Sequence, residues 1–458
     1  MSGSLVLGPR VVIAGTHSGV GKTTVATGVM AAMRRRGVSV APAKVGPDFI
    51  DPGYHALACG RPGRNLDAWM CGPDNIAGLA ARAGRDSDIL VVEGVMGLFD
   101  GAADGAPSST ADIATLIGAP VILVVDCSSQ AGSVAALVHG FATYSPTLRL
   151  GGVVLNRLAS ASHESMVRDA LAASPNPVPV VGALHRDERL SWRDRHLGLI
   201  PVAEQPERIA ASLDALAELV LRTCDLGAIE RIARSALDLR ATEPVCAIEQ
   251  RTASGRRPRI AVAGGRAFTF SYPDNNEVLV QAGAEIVEFD PINDRALPES
   301  VDGLIIGGGF PEVMVEQLSA NTPLLAEVNQ RIGAGMVTWA ECGGLLWLSR
   351  SLDGHSLADV VPTTAVMTDR LTLGYRSATT LVRTPLGPVG TKLRGHEFHY
   401  STTEVAGDAL HMTGRNGEEI AGFSTPTMLA SYLHVHLGSR ADVAESFMRA
   451  AAFAASGA

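Results

Sequence analysis

Several stretches of this chain are apolar without alternation. Residues 10–15, 38–44, 88–94, 120–126 and 151–157 are such runs, bounded by glycine, proline or polar turns. Segments with helical spacing fill the intervals. Continuous apolar strands separated by helices predict a parallel sheet buried on both faces. Residues 178–182 and 198–201 read as short edge elements. Between 204 and 240, Leu, Ala and Ile recur at helical spacing. The stretch 241–258 is polar and irregular, and is expected to be a linker. It separates an N-terminal domain, 1–240, from a C-terminal domain, 259–458. A fresh α/β pattern starts at 259–264 and continues through 284–288, 303–309, 336–342 and 428–437. The expected class is α/β throughout, with no internal repeats.

Bulk properties narrow the function. At 458 residues, two domains are expected. A hydrophobic content of 46% supports large cores. A net charge of −9 argues against a general nucleic-acid binder. No apolar run reaches membrane-spanning length, and no signal peptide is visible at the start. Six scattered cysteines without a CxxC pair suit reduced thiols in a cytoplasmic protein.

The basic residues are skewed: three lysines stand against 35 arginines. Lys22 and Lys44 lie inside motif-like sequence, and Lys392 reads as an ordinary surface residue. A lysine retained in such a chain is expected where a compact ammonium is needed and a planar fork is not.

Lys22 belongs to Gly15-Thr16-His17-Ser18-Gly19-Val20-Gly21-Lys22-Thr23-Thr24. A strand that runs through a glycine loop into a helix offers backbone N–H groups to phosphate. The pattern is one residue longer than usual, because its first glycine is Gly15 and position 16 is threonine. Nucleotide contacts are expected from Thr16, Gly19, Val20, Gly21, Lys22, Thr23 and Thr24, with Thr23 also a ligand of Mg²⁺. Glu93 ends a strand at the carboxyl edge, where ligands bind in open sheets, and reads as a Mg²⁺ ligand. Asp48, Asp51 and Asp100 lie in loops at the same edge. Asn156 ends another strand there and is a candidate for contacting the base. Asp67 reads as a helix cap or a second metal ligand, with the cap preferred.

Cys342 follows one of the second-half apolar strands and precedes Gly343-Gly344 and an apolar helix. That is the arrangement of a nucleophile elbow, where a helix start is expected to lower the thiol pKa. Gly307–Glu312 is expected to supply the other side of an oxyanion hole. His434 and His436, two apart on one strand face, are candidates for base and orienting group. His396 and His399 read as packing and hydrogen-bonding residues, and the other five cysteines as structural.

Across its length the chain resembles the cobyrinic acid and hydrogenobyrinic acid a,c-diamide synthases. The likeness rests on residues 15–24, 44–52, 64–70, 93–101, 195–199, 307–312, 340–345, 395–401 and 431–436. Val45-Gly46-Pro47-Asp48-Phe49-Ile50-Asp51-Pro52 is its most specific part. The lengthened loop and Glu93-Gly94 also resemble dethiobiotin synthetase. The resemblance implies an N-terminal P-loop amidoligase followed by a class I, triad-type glutamine amidotransferase. ATP would phosphorylate the a and c acetate carboxylates of a corrin ring. Ammonia released from glutamine at Cys342 would then displace phosphate. In this scheme Asp48 and Glu93 organise Mg²⁺ and Lys44 steadies the carboxylate or the moving phosphoryl group. Asp51 and Asp100 shape the acyl-phosphate site or ammonia entry. His434 takes the place of the base and His436 that of the acid. Leu437 departs from the aromatic residue usual after the second histidine. The expected partners are cobyrinic or hydrogenobyrinic acid, ATP and glutamine, and a homodimer is left open. One alternative is the same chemistry on another polycarboxylate such as nickel-sirohydrochlorin. The other is a switch ATPase, against which His17 stands where such proteins carry a signature lysine.

Overall fold

Apolar runs become central strands because a sheet buried on both faces offers them nowhere polar to turn. A computed structural model describes residues 4–102, 105–186, 194–195, 198–199, 206–242, 250–415 and 417–454. The chain divides into two units, 1–243 and 244–458.

In the first unit the strands are β1 (Arg10–Gly15), β2 (Val40–Val45), β3 (Arg64–Leu66), β4 (Ile89–Glu93), β5 (Val121–Asp126), β6 (Leu150–Leu158) and β7 (Val180–His185). They form one parallel sheet in the order β3-β2-β4-β1-β5-β6-β7. The chain leaves β1 for β2 and later returns to pair on both sides of β1. The carboxyl end of β1 is thus a topological switch point, the usual ligand position in such sheets. Helices α1 (Lys22–Arg35) and α2 (Asp51–Cys59) start at that edge. Helix α3 (Pro206–Thr223) shares a buried cluster with α1 through Leu213, Leu216 and Val220 against Ala26, Val29 and Met33. Residues 178–182, read as a short edge element, open the longer edge strand β7. Gly198–Leu199 pairs with Asp194–Arg195, while His196, Leu197 and residues 200–201 lie outside the described residues. So do residues 243–249 of the expected linker, Cys246 among them.

The second unit contains β8 (Arg259–Ala263), β9 (Glu285–Phe289), β10 (Gly303–Ile306) and β11 (Val337–Glu341). Further along are β12 (Val361–Thr380), β13 (Lys392–Thr403), β14 (Phe423–Thr425), β15 (Met428–Ser431) and β16 (His434–Val435). The order β9-β8-β10-β11-β15-β14 is parallel except for β14. A second, largely antiparallel sheet is built around the β12–β13 hairpin and takes in β16. The segment 428–437, read as one strand, is therefore broken: β15 belongs to one sheet and β16 to the other. Among the described residues no helix is long and apolar enough to cross a membrane.

Candidate functional site

The phosphate-loop sequence forms the turn its glycines require. Gly19 and Gly21 have φ of 78° and 96°, a region that favours glycine. A Cβ on Gly21 would lie 2.3 Å from the Asn156 amide. His17–Gly19 are exposed and Val20 is buried. The Thr16 hydroxyl bonds the His17 ring at 2.9 Å, and Thr24 sits half-buried in the first turn of α1. The Lys22 ammonium donates to the His17 carbonyl at 3.1 Å. Burial, then Lys44, lowers the Lys22 pKa to about 8. Asn156, read as a base contact, braces the loop. Its side-chain N–H donates to the Val20 carbonyl at 2.9 Å, and its oxygen accepts from the Arg157 N–H. Arg157 donates to the Gly19 carbonyl at 2.8 Å and pairs with Asp126. Its φ of 58° is unusual for a side chain other than glycine.

Behind the loop lies a buried charge cluster. Lys44, 3% exposed, donates to Asp51 at 2.6 Å, Glu93 at 2.8 Å and the Gly94 carbonyl at 3.2 Å. The Thr23 hydroxyl donates to Glu93 at 2.6 Å and lies 3.3 Å from Asp51. Sequence reasoning missed His55. Its Nε2 lies 2.6 Å from the second Glu93 oxygen, and both side chains are fully buried. Its position one helical turn after Asp51 was the available signal, since i and i+4 share a helix face. Burial opposes the charge on Glu93, but Lys44 and His55 outweigh it and hold the carboxyl well below its usual range. Burial, together with Asp48 and Glu93, pushes Asp51 well above its usual range despite Lys44. Burial also opposes the ammonium of Lys44, yet Asp51 and Glu93 hold its pKa above the ordinary value.

The remaining acids serve the loops. One Asp48 oxygen accepts from the Ile50 and Asp51 N–H groups, so it shapes the start of α2. Asp100 is exposed and accepts from the Gly97 N–H at 2.8 Å. Asp67 caps a short helix by accepting from the Met70 N–H.

The second cluster lies in the 244–458 unit. Cys342 sits between β11 and α4 (Gly343–Leu348) with φ 48° and ψ −102°. A non-glycine residue there is strained, as at the elbow of a strand-to-helix turn. Its N–H donates to the Ser431 carbonyl at 2.7 Å, tying the elbow to β15. Its Sγ lies 3.6 Å from the Phe398 carbonyl. The helix start does not dominate the thiol. Burial, with Glu312 adding to it, pushes the thiol well above its usual pKa, and the Gly343 N–H opposes only in part. The expected low pKa is therefore overturned for the resting protein.

Gly308 lies against the His434 ring. A Cβ there would lie 2.5 Å from His434 Cε1, so only glycine fits. A Cβ on Gly343 would lie 3.1 Å from the Gly309 nitrogen. The Gly308–Gly309 bend therefore lies against both the His434 ring and the start of α4. His436 does not share this setting. It precedes a 3-10 turn, where its Nδ1 accepts from the Gly438 N–H at 3.0 Å. Its ring packs on Tyr272, and its Nε2 is 3.9 Å from Asp274. β16 ends at Val435, with His436 still extended beyond it. The carboxylate beside His434 Nδ1 is Glu341, at 3.5 Å. His396 stacks on His434 and His399 on Tyr432, with ring centroids 4.9 Å and 3.7 Å apart.

Two family models match the chain. Residues 11–199 match the CobQ/CobB/MinD/ParA nucleotide binding domain, and residues 259–442 match the CobB/CobQ-like glutamine amidotransferase domain. Hydrogenobyrinate a,c-diamide synthase of Streptomyces coelicolor is 46% identical, over 98% of each chain. The chain belongs to the cobyrinate and hydrogenobyrinate a,c-diamide synthase family. Within this family, hydrogenobyrinate a,c-diamide synthase of Mycobacterium tuberculosis is 45% identical over 93% of this chain and 94% of its own. Cobyrinate a,c-diamide synthase of Syntrophotalea carbinolica is 42% identical, over 96% and 98%. Family membership gives the protein its class: an ATP-using ligase with a glutamine amidotransferase domain.

Proposed function

We propose that the protein amidates the a and c acetate carboxylates of hydrogenobyrinate, using ATP and glutamine. The observation that carries this reading is the pairing of two sites in one chain: a phosphate loop backed by Lys44, Asp51 and Glu93, and a Cys342 elbow near His434. The relatives at 44–46% identity described as acting on hydrogenobyrinate support the metal-free corrin. Those described as acting on cobyrinate stand at 40–42%. Mass spectrometry of products from each corrin with ATP, Mg²⁺ and glutamine tests the choice. Two added amides on hydrogenobyrinate, at a higher kcat/KM than on cobyrinate, are expected. The reverse preference would overturn the substrate assignment.

In the first unit, the loop N–H groups and Lys22 hold the triphosphate. The carboxylate oxygen attacks the γ-phosphorus and ADP leaves, giving an acyl phosphate. Lys44 offsets the negative charge gathered there. Asp51 and Glu93 bring carboxylate oxygens to the Thr23 hydroxyl, and these three oxygen ligands would suit Mg²⁺. When bound, the ion neutralises charge on the β and γ phosphates. Ammonia then attacks the acyl carbon and phosphate departs.

In the second unit, His434 takes the Cys342 proton as Sγ attacks the glutamine amide carbon. The Gly343 and Gly309 N–H groups receive the oxyanion. The C–N bond breaks, ammonia leaves with the proton from His434, and water attacking the thioester releases glutamate.

The low pKa of Lys22 gives a pH prediction. Free enzyme loses this ammonium as pH passes about 8. ATP binds better to the charged form, so binding above that pH takes up a proton. The KM for ATP is expected to rise above about pH 8. Initial rates at saturating glutamine between pH 7 and 9 check this, and a flat KM would contradict it.

A further inference from the structure

We infer that Glu341 is a positioning residue that fixes the tautomer of His434 and completes the thiol site from the residue next to the nucleophile. This rests on the glutaminase reading above. Glu341 is the last residue of β11, 5% exposed, and adjoins Cys342 in the chain. Its two oxygens have different tasks. Oε1 accepts from the Val435 N–H at 2.9 Å, which ties β11 to β16. Oε2 faces His434 Nδ1 at 3.5 Å. A purely structural acceptor would need one oxygen. A buried carboxylate is costly unless its charge has a partner, and the imidazolium formed during thiol attack is that partner. Catalytic hydrogen bonds are often longer than ideal before substrate binds.

A carboxylate accepts only. With Glu341 at Nδ1, the neutral ring carries its hydrogen on Nδ1, and Nε2 is left as the base. This is the role of the acid in a serine-protease triad. Here it is filled from the nucleophile's own strand. The sequence had suggested a residue two past the base, but His436 is committed to Gly438 and Asp274. The other titratable groups around His434 do not compete for this role. Burial and then His434 hold His396 well below its usual pKa, so it stays neutral. Burial is also the main cause that lowers His399 to about 4. The Cys342 thiol is held protonated until attack.

Glu341→Gln is the decisive variant. Its amide oxygen can still accept from Val435, while its NH₂ faces Nδ1 and favours the tautomer with hydrogen on Nε2. Glutaminase kcat is expected to fall by about 10²- to 10⁴-fold, the scale of a triad tautomer error. The KM for glutamine and the melting temperature should stay near wild type, and amide synthesis from ammonium chloride should persist. Glu341→Asp keeps the charge and should recover part of kcat. Wild-type kcat in Glu341→Gln overturns the inference. So does a rise in KM alone in either variant, which would assign Glu341 to packing the glutamine pocket. If Glu341→Gln does not fold, Glu341→Asp decides: kcat lowered at unchanged KM supports the role, and unchanged kcat overturns it. Failure of the glutaminase reading itself would show separately, as a Cys342→Ala enzyme that still uses glutamine.

Discussion

Replacing Cys342 with alanine is expected to abolish glutamine-dependent amide synthesis while leaving synthesis from concentrated ammonium chloride close to wild type. In the proposed scheme the thiol is the nucleophile that displaces ammonia from glutamine, so its loss stops ammonia release at the first step. Nothing in acyl-phosphate formation involves it. The phosphate loop, Lys44, Asp51 and Glu93 all belong to residues 1–243, whereas Cys342 and His434 belong to 244–458. The variant should also fold well. Cys342 holds a strained φ of 48°, which alanine tolerates no worse, and its backbone bond to Ser431 does not depend on the thiol. Rates with each nitrogen source on one preparation check the prediction. Equal loss with both would break the division of labour between the two units.

The second large effect is expected at Lys44. Lys44→Met should eliminate amide formation from either nitrogen source and destabilise the first unit by about 3–5 kcal/mol, the scale of breaking one side of a buried ion pair. The cause is geometric. Lys44 is the cation between Asp51 and Glu93, at 2.6 and 2.8 Å, in a site that leaves only the edge of Asp51 to solvent. Without it, two buried carboxylates face each other.

The sign of the pH dependence follows. The folded pKa of Lys44 is raised above its unfolded value, so its contribution is complete at neutral pH and is lost only at high pH, as the folded value is passed. The Glu93 pKa is depressed, so its contribution is present at neutral pH and is lost as pH falls through the folded value. In the methionine variant both carboxyls take up protons more readily. The stability gap from wild type should therefore narrow on going from pH 7 to pH 5. Urea unfolding at the two pH values measures it. Lys44→Arg keeps the charge and should recover much of the stability. Its broad fork does not fit between two carboxylates at these distances, so amide formation should remain about 10²-fold down. Full turnover in the arginine variant would confine Lys44 to holding the sheet edge together.

The chain carried its architecture openly. Uninterrupted apolar runs such as Val11–Ala14 and Val121–Val125 have few stable homes other than a sheet covered on both faces, and they became the central strands of one. The loop from Gly15 to Thr24 and the Cys342 elbow were equally legible. Both depend on backbone direction within a few residues, and glycine spacing encodes that locally. The scarcity of lysine drew attention to Lys22 and Lys44 before any contact was known. What sequence could not decide was pairing between distant residues. The twenty-residue strand β12 and its partner β13 escaped notice because a half-exposed hairpin has a weak apolar signature. Asn156 sits at the predicted sheet edge, yet only the fold shows it spending its amide on the Val20 carbonyl. His55 became visible only when α2 laid it against Glu93. The helix start promised a reactive thiol, but tertiary burial outweighs one short helix and raises its pKa instead. The two-residue spacing of His434 and His436 suggested a base and its orienting group, but only the fold shows His436 meeting the Gly438 N–H and Asp274, with Glu341 beside His434 Nδ1. Local conformation is set by neighbours in the chain and can be read there. Which charges meet, and how dry the place is where they meet, depends on groups that lie far apart in the chain, as Lys44 and Glu93 or Glu341 and His434 do, and only folding determines that.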